Sequence, residues 1–167
     1  RTLSSVDASS PLRGVWHAAG VLADGLLATQ AAVGVQRVAA SKACAAGWLH
    51  GASSTLPFHA CVLFSSITAL LGGAGQANYS ASNSELDMLA VARRAGAQSA
   101  ASVQWGPWAV VGMAATDSIA KRCRAQGYGL IDLTLGLAAL GAASRPNSPA
   151  VLGVVPVGWS TMLRGTL

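Results

Sequence analysis

The chain has 167 residues, enough for one domain with a sizeable core. Hydrophobic residues make up 52% and charged ones only 10%, against roughly 25% in an average globular domain, so the chain either sits inside a larger assembly or lacks part of its own surface. The net charge of +5 comes mainly from scattered arginines, with only two lysines, Lys42 and Lys121; there is no basic run and no aromatic interleaving, which argues against nucleic acid as a partner.

Three cysteines, Cys44, Cys61 and Cys123, are too few and too far apart for a disulfide framework or a metal site. They are expected to be small buried apolar residues in a reducing, cytoplasmic compartment. The chain opens on Arg1 with no methionine and no apolar signal core, and is expected to be a piece of something longer. The uncharged stretch 43–84 is interrupted by Pro57, His59, Ser65, Ser66, a glycine cluster and Asn78. No run of about 20 apolar residues survives, so a membrane span is not expected.

In chain order, residues 1–12 are polar, carry Pro11 and predict an entering loop. Residues 14–20 form a short apolar run ending in small residues, expected as a buried parallel strand whose end meets a ligand. Residues 22–27 predict a loop holding Asp24. From 31 to 52 a helix is expected, with Val35, Val38, Ala39, Lys42, Ala46 and Leu49 along one face. Pro57 ends that unit, and residues 58–65 predict the next buried strand.

A glycine-rich loop, Gly72-Gly73-Ala74-Gly75, leads into a helix over 77–94, with Leu86, Leu89 and Ala90 as its core face and Arg93-Arg94 suiting its C-terminal dipole. Residues 101–105 predict a third strand stopped by Gly106-Pro107, followed by a loop over 108–113. A polar, basic helix is expected over 117–126, a leucine-striped helix over 131–143, a last strand over 151–157 and a terminal turn over 159–163. Strands alternating with helices imply a doubly wound parallel sheet covered on both faces.

In such a sheet, ligands gather at the carboxyl ends of the strands. Gly20, Ser66 and Gly106 fall there, and Tyr79 lies in the first turn of the helix that follows the second strand. Tyr79 and Asn83, four apart, share one face. A phenol, an amine and a serine hydroxyl form a proton-transfer set for a carbonyl. Hydride attack leaves an oxyanion that the phenol can protonate, provided a nearby ammonium brings its pKa down from about 10. The serine hydroxyl holds the carbonyl oxygen, and Asn83 orients the lysine or a relay water. Singly, each residue has an ordinary reading: a turn serine, an amphipathic tyrosine, a lysine snorkelling off an apolar face. The spacings of 24 from Lys42 to Ser66, 13 to Tyr79 and 4 to Asn83 make the set hard to explain that way.

The segments His17-Ala18-Ala19-Gly20-Val21-Leu22-Ala23-Asp24, Ser41-Lys42, Trp48-Leu49-His50, Phe64-Ser65-Ser66, residues 76–83 and Val103-Gln104-Trp105-Gly106-Pro107-Trp108 with Gly112-Met113 resemble the ketoreductase domain of modular type I polyketide synthases, a branch of the short-chain dehydrogenase/reductase superfamily. The resemblance runs over most of the chain and covers a Rossmann-type α/β fold whose phosphate-binding βαβ part would lie before residue 1. Residues 1–167 would thus be one partial ketoreductase domain, its catalytic half. The family's lysine comes from the earlier helix, the order found here, whereas many simple short-chain dehydrogenases carry Tyr-x-x-x-Lys.

The resemblance implies NADPH-dependent reduction of a β-ketoacyl group on an acyl carrier protein. Tyr79 would be the proton donor, Ser66 the carbonyl anchor, Lys42 the cation that lowers the phenol's pKa, and Asn83 a support. Ala18, Ala19 and Gly20 would line the cofactor, and Gly106 and Pro107 would bend beside the nicotinamide. Residues 113–126 would form a lid, with Met113, Asp24, Leu71 and Gln76 on the substrate side. Leu22-Ala23-Asp24 matches the family's Leu-x-Asp marker, and Leu71 stands where the opposite stereochemical type has a tryptophan; both imply a D-configured hydroxyl. No Gly-x-Gly-x-x-Gly occurs in the chain, so the isolated 167 residues are expected to bind NADPH weakly and turn over little. The resemblance also implies upstream chain in the same polypeptide and a homodimeric megasynthase as parent. A fatty acid synthase ketoreductase, and a non-catalytic reductase-like domain, share much of this pattern.

Overall fold

The computed structural model describes residues 12–109 and 117–165. Four strands, β1 (Gly14–His17), β2 (Ala60–Ser66), β3 (Ala101–Trp105) and β4 (Val151–Val154), form one parallel sheet in the order β1-β2-β3-β4. The register pairs His17 with Leu63, Ser65 with Gln104, Ser66 with Trp105 and Trp105 with Val154, so the carboxyl ends of β1, β2 and β3 lie side by side.

The crossover from β1 to β2 is a helical unit in three pieces: α1 (Ala32–Ala39), a π-helical turn (Ala40–Cys44) and α2 (Ala45–Ser53). Val38, Lys42 and Ala46 on it are buried. Steps of four residues drift around an ideal α-helix, which turns in 3.6; the wider π turn takes up that drift and keeps the three on one face. Val35 is 43% exposed, so the predicted stripe begins a turn later than its apolar residues suggest. After β2 comes a single helical turn, α3 (Thr68–Leu71), where the sequence predicted only a glycine loop. It ends at Gly72, whose φ of 74° is a conformation glycine adopts freely. The long helix α4 (Ala77–Ala95) follows.

Between β3 and β4 lie α5 (Asp117–Ala125) and α6 (Leu133–Ala143), the latter capped by the Asp132 side chain accepting from the Leu135 amide at 2.7 Å. β4 is shorter than predicted: Val157 pairs instead with Tyr128 as an isolated antiparallel bridge. A short helix, α7 (Trp159–Met162), and a 3-10 turn (Leu163–Gly165) close the described chain.

The two sheet faces carry separate cores. On one, Cys61 and Leu63 pack with Ala46, Leu86 and Ala90 from α2 and α4. On the other, Val62, Val103, Trp105 and Val154 pack with Ile131 and Ala143. There Phe64, Trp105 and Trp108 stack in series, with centroids 5.6 and 5.0 Å apart. β1 is the edge strand and less buried than predicted, with Trp16 half exposed. The expectation of three buried cysteines holds for Cys61 alone; Cys44 is exposed, Cys123 is half-buried, and all three are free. Among the described residues no helix is long and apolar enough to cross a membrane, and no group of three or more His, Cys, Asp or Glu could hold a metal.

Candidate active site

At the carboxyl end of β2 the chain turns from strand to helix within two residues. The turn is held by Ser66, whose Oγ accepts from the Thr68 amide at 3.2 Å and from Thr68 Oγ1 at 3.1 Å. Both contacts use Ser66 as acceptor, which leaves its hydroxyl hydrogen for another partner. Ser65, pointing to the α4 side, donates to the Asn83 carbonyl at 3.2 Å and so ties strand to helix.

Tyr79 is buried in the first turn of α4. Burial pushes its phenol up from the ordinary value, while hydrogen bonds from Asn83 and Ser66 pull the other way and the Asp24 carboxylate adds to the rise. Burial thus works against the lowering expected from a nearby ammonium. The Lys42 ammonium stands 5.3 Å from the centre of the Tyr79 ring, over its face. Asn83, fully buried, donates from Nδ2 to the Tyr79 carbonyl at 2.8 Å, one turn back, and its Oδ1 has no partner among the described residues. It therefore holds Tyr79, not the lysine.

Lys42 does not snorkel. It is 3% exposed, and Nζ donates to the Phe64 carbonyl at 2.8 Å. Burial lowers its pKa to about 8, against the opposing pull of Asp87. The π turn that carries Lys42 is fastened from β1: His17 Nε2 lies 3.1 Å from the Lys42 carbonyl, so that nitrogen carries the hydrogen. Burial first, then the Lys42 charge, lower the His17 pKa, although its bond to that carbonyl opposes them. A histidine beside a cation and bonded to a carbonyl is thus kept as a neutral donor.

The cofactor-side residues divide. Ala18 and Ala19 are exposed at the end of β1. At Gly20 a Cβ would stand 2.8 Å from Lys42 Cε, so the glycine makes room for the lysine. Gly106 is likewise small because of the protein itself, since a Cβ would meet Val155 Cγ2 at 2.6 Å; Pro107 beside it is half-buried.

On the substrate side, Gln76 Nε2 donates to Asp24 Oδ2 at 3.1 Å, and the Gly25 amide donates to the Gly75 carbonyl at 2.8 Å, so the 22–27 loop is latched to the glycine loop. Leu71, at the end of α3, is 49% exposed. Met113 and the first part of the predicted lid lie outside the described residues. Asn78 was missed as a functional position: its Nδ2 donates to the Ala23 carbonyl at 2.8 Å and its Oδ1 accepts from the Tyr79 amide at 2.7 Å. A polar residue directly before the tyrosine was the available signal.

A parallel sheet with a serine, a tyrosine and a buried lysine converging at its carboxyl edge defines an α/β carbonyl-reductase type of site. Comparison with known proteins makes this specific. The family model described as the KR domain matches residues 1–110. The chain is 41% identical over 157 residues to the polyketide synthase GfsB of Streptomyces halstedii, covering 94% of this chain and 3% of that protein. It is 40% identical to the pikromycin polyketide synthase component PikAII of Streptomyces venezuelae, over 91% of this chain and 4% of that one.

Among solved structures it resembles A-type ketoreductases from a modular polyketide synthase, with TM-score 0.91, 31% identity, and 99% of this chain against 35% of that one. It also resembles the first ketoreductase of the tylosin synthase, with TM-score 0.83, 36% identity, and 95% against 35%. The chain belongs to the ketoreductase (KR) domain family of modular polyketide synthases. It spans about a third of the solved ketoreductase chains and a few per cent of the curated synthases.

Proposed function

We propose that this chain is the proton-transfer half of a ketoreductase that reduces a β-ketoacyl thioester, carried on an acyl carrier protein, to the β-hydroxyacyl thioester during polyketide assembly. The observation that carries this is the convergence of Lys42, Ser66 and Tyr79 at one strand end, all three buried, with the Lys42 ammonium 5.3 Å from the centre of the Tyr79 ring.

NADPH, when bound, supplies the hydride to the carbonyl carbon. Ala18 and Ala19 are exposed at the end of β1, and the next residue, Gly20, lies against the Lys42 side chain, a setting that suits the nicotinamide end of such a cofactor. Those residues, with Gly20, Gly106 and Pro107, would hold it. The pyrophosphate requires upstream chain of the same polypeptide, as does tight binding.

The remaining chemistry belongs to this chain. Ser66, whose hydroxyl also bonds the Tyr79 phenol, donates to the ketone oxygen and holds it near that phenol. Tyr79 passes its proton to that oxygen as negative charge develops there. A buried phenol resists ionisation, so its proton leaves only toward a stronger base such as the nascent alkoxide. Lys42 then faces the phenolate, and its positive charge stabilises the state in which the proton has left. Asn83 fixes the helix turn that carries Tyr79. The Asp24–Gln76 latch would form one wall of the acyl channel, and its Leu-x-Asp setting favours the D-configured product.

Tyr79→Phe in the intact parent synthase module tests the reading. Reduction of a β-ketoacyl thioester should fall by about 10³-fold, within the range for loss of a general acid. An unchanged rate overturns it. The parent is expected to be a dimeric megasynthase; the fatty acid synthase alternative is disfavoured by relatives that are polyketide synthases.

A further inference from the structure

Resting on that reading, we infer that Asn78 is a specificity-determining residue: it ties the 22–27 loop to Tyr79 and so sets which face of the ketone is reduced. Its side chain bonds in two directions. Nδ2 donates to the Ala23 carbonyl at 2.8 Å, 55 residues back in the chain, and Oδ1 accepts from the Tyr79 amide at 2.7 Å. Only the nitrogen can donate to a carbonyl and only the oxygen can accept from an amide, so the two partners fix the orientation of the group. Asn78 is 7% exposed, which shields both bonds from water.

The bond to Tyr79 answers a need of α4. The amides of a helix's first turn have no partner within the helix, and Tyr79 is the third residue of α4. Gln76, at the N-cap position, makes no side-chain cap; its Nε2 reaches Asp24 instead. Asn78 caps the Tyr79 amide from within the first turn, and the same side chain holds the loop.

Other bonds fasten the loop elsewhere. Asp24 is held by Gln76 and the Gly25 amide by the Gly75 carbonyl, both ahead of α4. The Ala23 carbonyl also accepts from Gln30 Nε2 at 3.1 Å, which braces the loop from its far side. Asn78 is the tie inside the helix that carries the phenol, one residue from it.

With the ketone oxygen fixed by Ser66 and Tyr79, and hydride arriving from one side, the direction of the acyl chain decides which face is reduced. The loop exposes Leu22, Leu26 and Leu27, apolar surface of the kind an acyl chain lies against. Through Asn78 that surface and the phenol keep one spacing. Without it the loop stays fastened to the glycine loop yet shifts relative to the phenol, and the opposite chain direction is admitted. Asn78 touches no reacting atom in this role.

The test is the ratio of major to minor hydroxyl configuration made by the full ketoreductase, resolved by chiral chromatography. Asn78→Asp keeps an oxygen for the Tyr79 amide, suits a helix N-terminus and loses the donor to Ala23. Its ratio should fall by about fivefold or more, the weight of one buried hydrogen bond. Asn78→Ala, which loses both bonds, should fall at least as far. Gln30→Ala loosens the same carbonyl without touching α4 and should leave the ratio in place. A ratio unmoved in both Asn78 variants overturns the inference, as does a Gln30→Ala shift equal to that of Asn78→Asp. Hydrogen exchange at the Gly25 amide should quicken in Asn78→Asp, and unchanged exchange also overturns it. That readout needs no turnover. An active Tyr79→Phe enzyme would therefore sink the functional reading while Gly25 exchange still decided whether Asn78 holds the loop.

Discussion

Gly20→Ala is the sharpest perturbation of the site that leaves every polar group in place. The added methyl carbon would stand 2.8 Å from Lys42 Cε and 3.4 Å from Nζ. Comfortable carbon–carbon contact needs about 3.5–4.0 Å, so Cε must withdraw by about 0.7–1.2 Å. Lys42 is 3% exposed and packed between α4 and the sheet, so it has little room to do so. The Nζ bond to the Phe64 carbonyl, now 2.8 Å, would stretch beyond hydrogen-bonding distance, and the ammonium would leave the Tyr79 face. A displacement of about 1 Å at a reacting centre costs on the order of 10²-fold in rate.

The assay is NADPH consumption by the full ketoreductase with a β-ketoacyl thioester. A kcat lower by about 10–100-fold is expected. Overpacking should also lower stability by about 1–3 kcal/mol, read by chemical denaturation. A variant whose kcat stays within about twofold of the parent, with Lys42 still titrating near 8, would refute the argument that Gly20 exists to make room for the lysine.

Two further outcomes follow from burial. Lys42→Met should abolish reduction yet stabilise the domain at pH 7. The lysine pKa falls from 10.5 to about 8 on folding, a cost of about 3 kcal/mol, while the abandoned Phe64 carbonyl returns about 1 kcal/mol of that as a loss. The sign follows from proton binding: between pH 8 and 10.5 the unfolded chain holds the proton and the fold does not, so parent stability gains from this group as pH rises through that window. Lys42→Met should lose that gain, and denaturation at pH 7 and 10 measures it. Gly136→Ala should destabilise without touching the site, because its Cβ would run into the Trp108 ring, itself stacked on Trp105; a fall in Tm with kcat per folded molecule unchanged is the expected result.

The alternation of strand and helix was legible because it is a local property: runs of apolar residues, their period, and the glycines and prolines that stop them. The order Lys42, Ser66, Tyr79, Asn83 was legible because each side chain's position follows from where its own element ends or turns. Three features were not. The exposure of Trp16 and Val35 depends on what packs over a residue, which period alone does not report. The α3 turn is held by Ser66 and Thr68 after the strand has already been placed.

The residue types of the site, and the family they belong to, were determined by the sequence alone, since chemistry needs those groups in that order. Their states were decided by tertiary structure. Burial raises the Tyr79 pKa against the lowering expected from a nearby ammonium, and it encloses Lys42 on the apolar face where its spacing put it. The cause is desolvation together with hydrogen bonds across 22 to 25 residues, from Lys42 to Phe64 and from His17 to Lys42. Such terms arise only when separate elements meet, so the charge and position of a side chain in the core are properties of the packed fold.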